Sequence, residues 1–237
     1  MSTRVLCIGD THCPAIQPGY TEWLVEIYDQ WDCNKVVHIG DVSNWNAISY
    51  HPKDPALPGP AEEYERAKAQ IKTMQEAFPV VDVLVGNHDA LPQRKARDVG
   101  LDPDIFIRDY KKIWETPRWT WHPRYTNLRI KGCPDTIFMH GDKGRGGISG
   151  LPAIKKAADL FCSVVCGHYH TSGGVEYLAT DFKPPIFGLQ CSTGADSTAL
   201  ELSYGVKFSR RPLVGCGVVI DGREAYYEVM PIRCKKQ

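Results

Sequence analysis

Five clusters of metal-competent side chains punctuate the sequence, each beside a glycine: Gly9-Asp10-Thr11-His12, Gly40-Asp41, Gly86-Asn87-His88-Asp89, His140-Gly141 and Gly167-His168-Tyr169-His170. Carboxylate, imidazole and amide oxygen are intermediate to hard ligands, and no thiolate stands among them. That set suits manganese, iron, zinc or magnesium better than a structural zinc site built on cysteine. The glycines allow sharp turns and a close approach of backbone to a metal or a phosphate. A lone histidine is more often a hydrogen-bonded structural residue than a ligand. Five of the chain's eight histidines fall in these clusters, which reverses that expectation.

Each cluster follows a short apolar run rich in β-branched residues, at 5–8, 36–39, 80–85, 136–139 and 163–166, and each run reads as a buried strand. Helical spacing lies between them: Trp23, Leu24, Ile27, Tyr28 and Trp31 share one face, and Tyr64, Ala67, Ile71 and Met74 share another. Alternating strand and helix predicts a sheet that is largely parallel at its centre, because parallel neighbours need a crossover. The carboxyl ends of parallel strands share one edge, so clusters spread over roughly 160 residues would converge on one crevice. After His170 the pattern becomes strands without helices, at 175–178, 185–189, 214–220 and 225–229, with Asp221-Gly222 as a hairpin turn. A second, more antiparallel sheet packed on the first would give a layered α/β sandwich with helices outside, one domain over residues 1–237.

Composition narrows the function classes. With 28 basic and 28 acidic side chains the formal charge is zero, so no whole-molecule field draws in polyanions or anionic membranes. No apolar run approaches a membrane-spanning length, and the first nine residues lack the marks of a signal peptide, which predicts a cytoplasmic protein with no membrane partner. Nine cysteines, an odd number with none spaced Cys-x-x-Cys, read as reduced core thiols.

The five blocks, in this order and each after a predicted strand, resemble the Asp-x-His, Gly-Asp-x-x-Asp, Gly-Asn-His-Asp/Glu, His and Gly-His-x-His blocks of the calcineurin-like metallophosphoesterases. The resemblance spans residues 8–170 and implies a four-layer α/β/β/α sandwich of two mixed β-sheets flanked by helices. It also implies two divalent cations, manganese foremost, with iron, zinc, magnesium or nickel as alternatives. Asp10, His12, Asp41 and His170 would hold one, and Asp41, Asn87, His140 and His168 the other, with Asp41 as the bridge. A hydroxide shared by the two cations would attack a phosphate ester, and His88 would assist the leaving group without being a ligand. Where the family often orients that histidine with the second Asp of Gly-Asp-x-x-Asp, this chain has Asn44, an acceptor that does not favour the imidazolium. Gly-Asp-Val-Ser-Asn-Trp and Gly-Asn-His-Asp also differ from the protein-phosphatase blocks, so a phosphodiester or nucleotide is the expected substrate. The alternatives are a DNA or RNA nuclease of the recombination and repair type and, lower, an inactive protein-interaction scaffold.

Other segments carry two readings each. Residues 44–60 hold Trp45, Tyr50 and His51 among prolines, and form either a substrate-binding overhang or a surface excursion. Lys143 and Arg145, just after His140, either receive a nonreacting phosphate oxygen or are merely solvated. Residues 108–125 interleave lysine and arginine with Trp114, Trp119, Trp121 and Tyr125, a nucleic-acid surface or core packing. His38 reads as core and His122 as surface.

Overall fold

The computed structural model describes residues 2–52, 54–105, 109–143, 151–181, 183–202 and 211–231. Its strands are β1 (Arg4–Ile8), β2 (Lys35–His38), β3 (Asp82–Leu84), β4 (Thr120–His122), β5 (Thr136–Met139), β6 (Ser163–Cys166), β7 (Gly174–Thr180), β8 (Lys183–Gln190), β9 (Gly215–Ile220) and β10 (Glu224–Val229). Its α-helices are α1 (Tyr20–Gln30), α2 (Pro60–Ala77), α3 (Leu91–Asp98), α4 (Tyr110–Ile113) and α5 (Pro152–Leu160). The first sheet has the order β10-β9-β1-β2-β3-β4, parallel from β1 to β4 and antiparallel at β9 and β10. The second has the order β5-β6-β8-β7, with only β7 antiparallel to its neighbour.

Side-chain alternation along single strands defines the layers. Leu6 and Ile8 of β1 join Trp23, Leu24 and Ile27 of α1 and Ala67, Ile71 and Met74 of α2 in one core. Val5 and Cys7 of the same strand face the other way, into a core shared with Phe138, Val165, Phe187 and Leu189 of the second sheet. The second sheet repeats the pattern, for Ile137, Val164 and Cys166 turn outward onto Ala153 and Ala157 of α5. Successive strand side chains point to opposite faces, so a strand covered on both sides must be apolar at every position, which is why these runs are unbroken. Two mixed sheets with helices on both outer faces result, the expected α/β/β/α sandwich.

The strands are shared between the sheets differently from the sequence expectation. Three ligand-bearing strands, β1, β2 and β3, lie in the first sheet, while β5 and β6 belong to the second. The late strands also divide: the hairpin β9–β10 returns to pair with β1, and β7–β8 completes the second sheet. A strand buried on both faces has the same composition in either sheet, so its membership leaves no mark in the sequence. β3 is shorter than the run at 80–85, because Val80 lies in the preceding turn and is 56% exposed. The eight cysteines among the described residues are all buried and free. Among the described residues no helix is long and apolar enough to cross a membrane.

Candidate metal centre

The carboxyl ends of β1, β2 and β3 bring their loops together, and backbone hydrogen bonds lock them. The N–H groups of Thr11 and His12 both donate to the Asp41 carbonyl, at 3.1 and 2.9 Å. The His88 N–H donates to Asp41 Oδ1 at 2.7 Å, and the His168 N–H donates to Asp10 Oδ2 at 2.9 Å, which ties the second sheet's loop to the first sheet's. Glycine is required at two of these junctions. A Cβ on Gly86 would lie 2.1 Å from Asp41 Oδ1, and one on Gly167 would lie 2.2 Å from Asp10 Oδ1. Three ligand candidates adopt left-handed backbone without being glycine, His12 (φ 48), Asp41 (φ 49) and His168 (φ 68), a conformation that costs about 1–2 kcal/mol per residue and gathers at functional sites.

Two clusters of ligand atoms result, Asp10 with His12 and His170, and Asp41 with His140 and His168, the atoms of each lying within 4.8 Å of one another. A third overlapping set joins His12, Asp41 and His88 on the same criterion. Asn87 Oδ1 stands 3.0 Å from His140 Nε2. All seven ligand candidates named from the sequence are therefore neighbours, with His88 beside them.

The donors and acceptors in this centre do not balance. His12 Nδ1 faces Asn44 Oδ1 at 3.1 Å, an acceptor, so the ring donates there and leaves a lone pair on Nε2. His140 Nδ1 donates likewise to the Ile39 carbonyl at 3.0 Å, and its Nε2 then meets Asn87 Oδ1 and, at 3.3 Å, Asp41 Oδ2. Three acceptors thus converge with no donor among them unless His140 gains a proton. Burial opposes that proton, but Asp41 and Asp10 outweigh it and push the imidazole up to about 10. Burial, with His88 and His170 beside it, instead holds His12 well below the usual histidine range, and burial with His140 lowers His168. Asp10 Oδ1 is buried with no hydrogen-bond partner at all. A buried carboxylate oxygen left so is costly, and a cation is the partner this geometry suits. The residues present therefore fit divalent cations bound by oxygen and nitrogen.

Asn44 acts otherwise than expected from the sequence. Its side chain serves His12, whereas His88 Nδ1 donates to the Asn44 backbone carbonyl at 2.8 Å. The left-handed turn at Trp45 (φ 53) lies just beyond that carbonyl. Of the substrate-binding candidates, His51 is exposed on the segment after the second block and belongs to none of the ligand clusters. Lys143 is exposed at the rim of a cavity next to His140, and Arg145 lies outside the described residues. Within the segment 44–60, residues 46–50 are tied down: Glu63 of α2 accepts the N–H groups of Asn46 and Ala47, and the Tyr50 hydroxyl donates to Asp98 of α3. The aromatic segment packs inward, with Trp114 and Trp119 buried and Trp121 stacked on Tyr110. His38 is core, donating to Thr11 Oγ1 while its Nδ1 accepts the Gly40 N–H. His122 is part-buried against Asp82.

The sequence reading gave no role to Asp89, which brackets two ligand loops. Fully buried, it accepts the Ser43 N–H and hydroxyl on Oδ1, both at 2.9 Å, and the Gly86 N–H on Oδ2 at 3.0 Å. Burial, then the Asp41 charge, pushes its carboxyl up to about 6. The available signal was its place at the end of the Gly86-Asn87-His88-Asp89 block.

Comparison with protein-family models matches residues 3–181 to the calcineurin-like phosphoesterases. Comparison with curated protein sequences finds no match. Among solved structures, vacuolar protein sorting 29 from Cryptosporidium parvum is similar over 97% of this chain and 97% of its own, at 15% identity and a TM-score of 0.48. YfcE, a phosphoesterase from E. coli, is similar over 91% of this chain and 87% of its own, at 16% identity and 0.43. The nuclease MPE of Pseudomonas putida is similar over 94% and 86%, at 14% identity and 0.39. Likenesses this distant decide nothing about activity.

Proposed function

Because the chain belongs to the calcineurin-like phosphoesterase family, we propose that it hydrolyses phosphate esters, with a phosphodiester or nucleotide as substrate, using two divalent cations. Asp10, His12, Asp41 and His170 would hold one and Asp41, Asn87, His140 and His168 the other, manganese being the first candidate for a thiolate-free oxygen and nitrogen set. Such a pair, when bound, polarises a phosphoryl group and brings the pKa of a shared water toward neutrality.

The chain's own residues do the positioning. Asn44 Oδ1 and the Ile39 carbonyl fix the tautomers of His12 and His140, so that both present Nε2 to the centre. His88, anchored through Nδ1 to a neutral carbonyl, keeps Nε2 for the leaving oxygen. The ring is held by a carbonyl and not hydrogen-bonded through Nδ1 to a carboxylate, so its part is hydrogen bonding to the developing charge as much as proton donation.

The observation that carries the proposal is the convergence of Asp41 Oδ2, Asn87 Oδ1 and His140 Nε2, which without a cation only a proton on His140 relieves, together with the orphaned Asp10 Oδ1. The test is metal analysis of the purified protein, followed by a chromogenic monoester and diester panel with the metal found. Asp41→Asn and His140→Ala should lose metal and turnover together, and full retention of both would refute the proposal. Labelled single-stranded and duplex DNA and RNA in the same panel would identify a nuclease. A metal-free, inactive protein that still bound a protein partner would return the scaffold reading.

A further inference from the structure

A cavity of about 300 Å³ adjoins the candidate centre, with His140 in its wall and Tyr169, which follows His168, beside it. Its lining also holds Lys143, Lys155 and Lys156, with Tyr125 at the edge. Two carboxylates share the wall, Asp142 and Asp159, but Asp142 is already engaged: Arg124 Nε and a terminal guanidinium nitrogen donate to its Oδ2 at 2.9 and 2.6 Å. Among the described residues the lining thus carries three lysines against Asp159 and the Arg124-paired Asp142, an excess of positive charge in a chain whose overall charge is zero. Lys156 Nζ donates to the Lys143 carbonyl at 2.6 Å, which ties α5 to the loop after His140. Tyr125 is 54% exposed, with the Arg124 guanidinium over its ring at 4.6 Å, and its exposed part can take a planar group. The volume sits at the small end of the range for small-molecule sites.

Resting on the phosphoesterase reading, we propose that this cavity receives the nonreacting half of the substrate, and that this half is a nucleoside bearing a second phosphate. The reacting phosphorus lies at the centre, where His140 contributes to both spaces. The second phosphate meets Lys155 and Lys156, and the base packs on Tyr125, since aromatic faces accept any base and ammonium groups bind phosphate as point charges.

A matched pair of esters tests this: thymidine 5′-(p-nitrophenyl phosphate) with and without a 3′-phosphate. Hydrolysis is the same in both. The oxygen of water joins phosphorus, the aryl oxygen–phosphorus bond breaks, p-nitrophenolate leaves with the electron pair, and the proton passes to solvent. In the manganese-loaded protein the 3′-phosphorylated ester should show a kcat/KM about tenfold higher, carried by KM. Lys155→Glu, which leaves the Lys156 contact to Lys143 intact, should bring that ratio to about one. A ratio near one in the wild type, or a ratio unchanged in Lys155→Glu, overturns the proposal while leaving the phosphoesterase reading in place. Calorimetry with thymidine 3′,5′-bisphosphate and thymidine 5′-monophosphate separates the opposite case. Tenfold tighter binding of the bisphosphate, lost in Lys155→Glu, in a protein that hydrolyses neither ester supports the cavity and overturns the reading of hydrolysis.

Discussion

Replacing Asn44 by alanine separates two contacts made by one residue. The substitution removes Oδ1, 3.1 Å from His12 Nδ1, and keeps the backbone carbonyl, 2.8 Å from His88 Nδ1. His12 is fully buried, so its N–H would be left without water or partner, at a cost of about 1–3 kcal/mol. The ring must then rotate or change tautomer, and either withdraws the Nε2 lone pair from Asp10 and Asp41. Asn44 Nδ2 has no partner in the native protein, so its removal returns part of that cost. A net 1–2 kcal/mol, about 5- to 30-fold in cation affinity, is expected. Competition against a fluorescent chelator measures the affinity, and turnover across aryl phosphodiesters of graded leaving-group pKa reports on His88. The affinity should fall while the leaving-group slope stays at its wild-type value. An unchanged affinity with a steeper slope would mean that the side chain serves His88, and the reasoning would fail.

Three further outcomes are expected. His88→Ala should keep its metal and lose about 10²- to 10⁴-fold in kcat, least for good leaving groups; a uniform loss across the aryl series would contradict leaving-group assistance. Asp89→Asn turns an amide NH₂ toward groups that already donate, from Ser43 and Gly86. Calorimetry above pH 7 should show a loss of about 1–3 kcal/mol, each kcal/mol lowering Tm by about 2–4 °C, and an unaltered Tm would remove its bracing role. Burial pushes His38 down to about 3, whereas in the unfolded chain it titrates near 6.5. The unfolded state therefore binds the extra proton between those values. Stability should fall by up to about 1.4 kcal/mol per unit as pH drops below about 6.5, and His38→Gln should flatten that slope in urea titrations. Parallel profiles for the two proteins would refute it.

The layered architecture was legible because burial on both faces writes itself into sequence: Val5, Leu6, Cys7 and Ile8 are all apolar, and the structure sends them alternately to two cores. The clustering of ligands was legible because each follows such a strand. What stayed hidden depends on contacts between distant segments. Nothing local distinguishes β5 from β2, though they lie in different sheets. Asn44 could be matched to a position but not to a partner, since one carbonyl and one amide oxygen diverge from the same residue toward two histidines. Trp114 and Trp119 sit among lysines and arginines in sequence, yet α2 and the first sheet cover their rings. Left-handed backbone at His12, Asp41 and His168 was hidden too: Asp and His enter that region more often than most residues, but only tertiary contacts decide which of them do.

That enforcement bears on why such a centre would exist at all. Asp10 and Asp41 are 0% and 1% exposed, and burying carboxylates is unfavourable unless opposite charge or good hydrogen bonds accompany them. Backbone N–H groups from His88 and His168 answer one oxygen of each. The remaining oxygens face imidazoles, and a proton on His140 can neutralise only part of what two acids bring. Strained backbone, an orphaned oxygen and converging acceptors all weaken the fold where they occur. A surface built only to bind another protein gains nothing from them, because they lie inside the molecule. Divalent cations offset all three at once, which is why the cost itself argues for a centre built to hold metal.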